Sequence, residues 1–333
     1  MQNIYNPAIT EDTLRRYEAE RYRTSLRRTS NGLGFMLIAF IGMNLLLSIM
    51  IVIMSLTVRE MGMSSEDSII DLLSNGMVSS LTFFVVGLFY CLFSKRSLAE
   101  ILPFEKIGAA KLAKLCVIGI AFNLFSNSAV DLVSGAFSLV GIENKGGTID
   151  VGSTPDSLLM ILTVAILPAF VEEFAFRGVV MGTLRPYSEG AAILISSATF
   201  ALMHGNFVQM PFTFCCGLVF AYMDIKTNSL LPSVIVHFLN NGLSVAADLL
   251  IAHGIMSELV VNLLYGVIFI VTGVLAFIFI KDFTKDKEMF TLDKGSDIIP
   301  FKKKITTICS SPTMIIFTVI MVLLSIMTLF GVS

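Results

Sequence analysis

Long apolar stretches alternate with short polar ones from residue 34 almost to the end of the chain. A helix that crosses a bilayer needs about 20 predominantly apolar residues. Nine stretches approach that length, at about 34–57, 75–94, 115–141, 157–184, 190–204, 207–225, 229–250, 259–280 and 312–331. The pattern predicts an all-α polytopic membrane protein with about nine transmembrane helices, the middle four forming a central core over 157–250. The remaining segments read as a polar stretch at 1–33, N-terminal transmembrane helices within 34–141, a single helix at 259–280, a hydrophilic connection at 281–311 and an appended final helix at 312–331. Residues 11–28, EDTLRRYEAERYRTSLRR, read as a solvated helix suited to lying on a membrane surface. The apolar run behind them is too long for a signal-peptide core and has no small-residue cleavage site, so it reads as a retained first span.

Two of the nine stretches need independent support, because 190–204 is short and 157–184 contains charges. The basic residues provide it. With the N-terminus in the cytoplasm, all nine spans counted, and Arg177 and Arg185 assigned to the inner side, every Lys and Arg of the 23 falls there except Arg59 and Lys145. This is the bias of the positive-inside rule. Removing one middle span would carry the Lys281–Lys304 cluster to the outside. The outer loops at 58–74 and 142–156 are weakly acidic.

Composition agrees with the pattern. The chain is 55% hydrophobic and 14% charged, against about 25% charged in a typical soluble domain. Its formal net charge of −2 argues against nucleic acid as a partner. Cys91, Cys116, Cys215, Cys216 and Cys309 show neither a disulfide framework nor a zinc-type CxxC pair, and read as packing residues.

Polar side chains inside lipid are expensive to retain and point to function. The fourth to seventh spans hold Glu172, Glu173, Arg177, His204, His237, Asn240, Asn241 and Asp248. Glu173 and Arg177, at i and i+4 with the acid first, can neutralise each other along one helix face. Glu172 is rotated about 100° from Glu173, so it is expected to face away from that pair and to need another partner or water. His204 ends the stretch FALMH, while His237 and Asn241 share one helix face in HFLNN. Counting about 1.5 Å of rise per residue from the inner turns puts Glu172, His204, His237 and Asn241 in one layer, roughly 12–22 Å deep. His253 and Asp248 read as groups that cap or line the outer ends of spans.

A carboxylate, two imidazoles and an amide at one depth suit hydrolysis. Glu172 can take a proton from water, His204 can hold that water, and His237 with Asn241 can donate to a developing oxyanion. A nucleophilic serine fits less well, since no GxSxG elbow is present. Zinc bound by Glu172, His204 and His237 is the competing reading of the same residues. HExxH is absent, so spacing alone leaves both readings open.

These motifs carry a resemblance. EEFAFR at Glu172–Arg177 fits EExxxR, FALMH at Phe200–His204 fits FxxxH, and HFLNN at His237–Asn241 fits HxxxN. Together and in this order, over about residues 157–250, they resemble the CPBP family. This is the CAAX prenyl protease and bacteriocin-processing (Abi) group of intramembrane proteases. The resemblance implies Glu172 as catalytic base, His204 acting on water with it, and His237 and Asn241 stabilising the oxyanion. Glu173 and Arg177 fall at supporting positions. The family has been described both as metalloproteases and as glutamate proteases, so it leaves zinc open. Its eukaryotic members trim a prenylated C-terminal tripeptide. Bacterial members are linked to peptide processing, bacteriocin self-immunity and regulation of signalling. The expectation is a multi-pass plasma-membrane peptidase with a cytoplasmic N-terminus, acting on a peptide or membrane-protein substrate within the lipid bilayer. The rival readings are a non-catalytic immunity or regulatory protein and a proton-coupled transporter. The transporter is disfavoured by the lack of an internal repeat.

Overall fold

The computed structural model describes residues 11–60, 76–138 and 154–329, and these are helical with short connections and no named strand. Most of the outer loops at 58–74 and 142–156 lies outside the described residues. In chain order the main helices are α1 (Glu11–Glu60), α2 (Ser79–Ser94), α3 (Ala109–Ser138), α4 (Thr154 to Leu184), α5 (Glu189–Met203), α6 (Met210–Thr227), α7 (Leu231–Ala252), α8 (Glu258–Phe283), α9 (Phe301–Cys309) and α10 (Pro312–Leu329).

Each of the nine apolar stretches meets a helix. Seven are long and apolar enough to cross a membrane, α5 is a shorter apolar helix, and α6 is not among the seven. The physical reason is position. α5 and α6 pack on each other at the centre of the bundle, and most of their residues are buried or half-buried. Helices shielded from lipid by other helices need less apolar surface than those facing it.

Two sequence expectations are corrected. Residues 11–28 do not form a separate surface-lying helix. They are the first turns of α1, which runs unbroken for 50 residues into the first span. Its stripe of Leu26, Ser30, Leu33 and Leu37, all almost wholly buried, faces the rest of the protein. Nor is the last helix appended. α10 packs along α1, where a Cβ on Gly34 would lie 2.5 Å from Thr313 Oγ1 and 2.7 Å from the adjoining backbone. Only glycine permits that approach. Thr313 Oγ1 donates to the Asn31 carbonyl at 2.9 Å across the same contact.

The connection at 281–311 is ordered against the start of α5 and the end of α6. Tyr222 donates to the Met289 carbonyl, and Lys226 donates to the Glu288 carbonyl at 2.9 Å and to the Thr291 carbonyl. The Asp293 amide donates to Glu189 at 2.9 Å. On α9, Lys304 is almost fully buried and donates to the carbonyls of Tyr187 (3.0 Å) and Lys294 (2.6 Å). Burial lowers its pKa from the usual lysine value, opposed by the charges of Asp297 and Asp293. A turn at 185–188 separates α4 from α5, as Pro186 and Gly190 lead one to expect.

α4 is the irregular element, and it carries the acids. Its hydrogen-bond ladder widens into π segments at Ile161–Ile166 and Phe174–Met181, on either side of Leu167–Glu173. Pro168 explains the first break. It has no N–H to give the carbonyl four residues back, and its ring crowds that carbonyl. The residue four back is Val164, whose freed carbonyl accepts Asn241 Nδ2 at 3.0 Å. A helix defect on α4 is thus satisfied by a side chain of α7, as a break inside a membrane requires. In the second π segment, Ser196 of α5 donates to the Phe176 carbonyl at 2.8 Å.

Candidate active site

A cavity of about 530 Å³ lies between α2, α3, α4, α6 and α7 and is lined by Glu172, His204, His237, Asn240 and Asn241. The four residues expected at one depth therefore converge. Glu172 and His204 also line a second cavity of about 300 Å³, together with Asn44 of α1 and Phe83 of α2. The Glu172 side chain is 23% exposed, whereas Glu173 is fully buried.

The ion pair expected between Glu173 and Arg177 is present, with Arg177 Nε 3.1 Å from Glu173 Oε2 and both side chains fully buried. It is a charge contact rather than an aligned hydrogen bond. The guanidinium lies 4.3 Å from the Phe200 ring centroid and 5.3 Å from that of Phe220. Two aromatic faces thus help hold a cation that lipid would not.

The separation of the two glutamates is less complete than one turn of helix geometry suggests. Glu173 does more than neutralise Arg177, because its Oε1 lies 2.7 Å from His237 Nδ1. Glu172 meets the other end of the same ring, with Oε2 3.9 Å from His237 Nε2. Adjacent carboxylates from α4 therefore bracket one imidazole from α7. The helix wheel places side chains around one axis but does not anticipate a third helix inserting a ring between them.

Tautomers follow from the partners. A carboxylate and a carbonyl can only accept, so Nδ1 of His237 donates to Glu173 and Nδ1 of His204 donates to the Phe200 carbonyl at 2.9 Å. Each neutral ring then has Nε2 as a lone-pair acceptor. For His237 to donate from Nε2 its ring must be doubly protonated, with Glu173 balancing the charge. Asn241 has one amide N–H engaged with Val164, while its Oδ1 accepts from Asn240 at 3.2 Å.

Among the described residues, no group of three His, Cys, Asp or Glu side chains is placed to hold a metal ion. The bond from His237 Nδ1 to Glu173 leaves Nε2 and its lone pair facing Glu172, an arrangement that a metal-binding histidine also adopts.

Two other predicted polar residues lie apart. His253 Nε2 is 3.0 Å from Ser157 Oγ, joining the end of α7 to the start of α4. Asp248 is exposed on α7. The five cysteines are free. Asp224 and Asn123 are among the buried polar residues that escaped the sequence reading. Asp224 on α6 is 1% exposed and accepts the Ser233 amide at 3.1 Å, fixing the start of α7 below His237. Asn123 on α3 is 1% exposed and lines the main cavity. Their signal was a polar residue within an apolar stretch, the same signal that singled out Glu172.

Residues 154–243 match the family model described as Type II CAAX prenyl endopeptidase Rce1-like. The chain is similar to the membrane-embedded CAAX protease MroQ of Staphylococcus aureus (strain USA300). The two are 33% identical over 99 residues, covering 28% of this chain and 40% of that protein. The matched region thus spans less than half the length of that relative. No solved structure matches the chain.

Proposed function

We propose that the protein is an intramembrane endopeptidase of the CPBP type in which Glu172 activates water, a reading supported by the match of residues 154–243 to the CAAX prenyl endopeptidase model. The observation that carries this reading is the bracketed ring. Glu172 stands 3.9 Å from His237 Nε2 at the wall of a cavity that His204 also lines, while Glu173 holds the far side of that ring.

In the proposed reaction, water between Glu172 and His204 gives a proton to the Glu172 carboxylate as its oxygen attacks the scissile carbonyl carbon. The carbonyl electron pair moves to oxygen, where His237 Nε2–H and the free Asn241 N–H donate to the oxyanion. Collapse breaks the C–N bond, and the leaving nitrogen takes the proton from Glu172. Glu173 and Arg177 support His237 and do not touch substrate.

The substrate class is a peptide bond in a membrane-associated or lipidated peptide, the setting being a plasma membrane with the N-terminus on the cytoplasmic side. The test is cleavage of a farnesylated CAAX peptide by purified protein, with and without chelator. Glu172→Gln and His204→Ala are expected to lose at least about a hundredfold in rate, and chelation to leave activity intact. Full activity in both variants would sink the assignment. Loss on chelation with recovery on added zinc would replace the glutamate mechanism by a metal one. A cellular phenotype that survives in stably expressed Glu172→Gln would favour a binding role.

A further inference from the structure

One wall of the main cavity belongs to α3, outside the family-matching residues. Ile120, Asn123, Leu124 and Asn127, at i, i+3, i+4 and i+7, line it from a single helix face. Three of these are buried, and Asn123 is 1% exposed. Neither Oδ1 nor Nδ2 of Asn123 has a hydrogen-bond partner among the described residues. A buried amide left open at both ends opposes folding. The apolar neighbours Ile120 and Leu124 occupy the same wall without that penalty. Asn123 lines the cavity, so its amide is available to a group that enters there.

We infer that Asn123 reads the backbone of the bound substrate, its Oδ1 accepting a peptide N–H and its Nδ2 donating to a peptide carbonyl in a segment lying alongside Glu172. This rests on the peptidase reading proposed above. The chemistry is complementary, because a peptide unit and a side-chain amide each carry one donor face and one acceptor face. It is also needed. A segment unwound for cleavage within a membrane loses its helical hydrogen bonds, and polar groups lining the cavity can replace them. Three further residues lining the cavity, Asn127, Asn240 and Gln209, are also neutral amides. Neutral amides suit a neutral backbone and give no preference for a charged ligand. α3 is held close enough for this role by Gly119, where a Cβ would come within 2.8 Å of Val236 on α7.

The experiment compares wild type with Asn123→Leu on a farnesylated CAAX peptide carrying a fluorophore, and on a series N-methylated at one backbone position at a time. The expected result is a KM raised about tenfold, the scale of one buried hydrogen bond, with kcat within about twofold. The melting temperature should be equal or higher, because an unpartnered amide has been replaced by an apolar group. One N-methylated peptide should lose the same factor in wild type and nothing further in the variant. An unchanged KM, or a melting temperature several degrees lower, overturns the inference, since the amide would then hold only water or serve the fold. Failure of wild type to cleave any peptide fails the peptidase reading alone. Binding of the same peptide to Glu172→Gln and to the Glu172→Gln/Asn123→Leu double variant then decides. About tenfold weaker binding in the double variant supports the inference, and equal or absent binding in both overturns it.

Discussion

At the scale of single residues, Glu172 and Glu173 carry the same carboxylate on neighbouring positions and do different work. Glu173 is fully buried between Arg177 and His237, whereas Glu172 is partly open to the cavity. Their substitutions should therefore fail differently. Glu172→Gln keeps the shape and is expected to abolish cleavage with a melting temperature within a few degrees of wild type. Glu173→Ala leaves the Arg177 charge buried without its partner, and losing one half of such a pair costs about 3–5 kcal/mol. That variant is expected to express poorly or melt far earlier, measured by a thermal-shift assay in detergent. Glu173→Gln removes the charge beside His237 while keeping an acceptor for Nδ1. It should fold better than Glu173→Ala, yet cleave more slowly because a doubly protonated His237 loses its counter-charge.

At the scale of elements, the site depends on a helix that is not regular. Pro168 frees the Val164 carbonyl, Asn241 takes it up, and the π segment after Glu173 shifts the next residues around the axis. π-bulges recur at functional sites for this reason. Pro168→Ala restores the missing N–H, so the carbonyl can return to the α4 ladder and Asn241 loses its acceptor. Cleavage is expected to fall several-fold while the melting temperature holds or rises, and a joint loss of both would show that the break serves stability alone. The α1–α10 contact makes a second prediction at this scale. Gly34→Leu has no room against Thr313 and Met314. Overpacking of this kind costs about 1–3 kcal/mol, and melting-point measurement on purified protein checks it.

At the scale of the whole molecule, helices from the two ends of the chain pack together. α1 and α10 pack along each other, and the connection at 281–311 closes over the start of α5 and the end of α6. The proposed orientation puts that connection in the cytoplasm. Cys309, at the end of α9, is the exposed cysteine, and the other four are buried or half-buried. A membrane-impermeant maleimide is therefore expected to label wild-type protein in inside-out vesicles and not in intact cells. Labelling in intact cells would reverse the topology.

Much of this architecture was legible in the chain because burial in lipid writes itself into composition. About twenty apolar residues per crossing and basic residues on one side are demands on sequence alone. The residues around the cavity were legible for a related reason, since Glu172, His204, His237 and Asn241 stand out against apolar neighbours. Hydrogen-bond partners were not legible, because they depend on how three or four helices rotate against one another. Sequence spacing paired Glu173 with Arg177 but could not reveal that Glu173 also holds His237. It flagged Asn241 without the Val164 carbonyl that occupies it. It passed over Asn123 on α3 and Asp224 on α6, which draw meaning only from the helices packed around them. The sequence by itself determined which segments are helices in lipid and which polar residues are costly enough to need a reason. Tertiary structure decided which of those groups satisfy one another and which remain open, because a hydrogen bond needs contact within about 3 Å, and that contact is a property of packing.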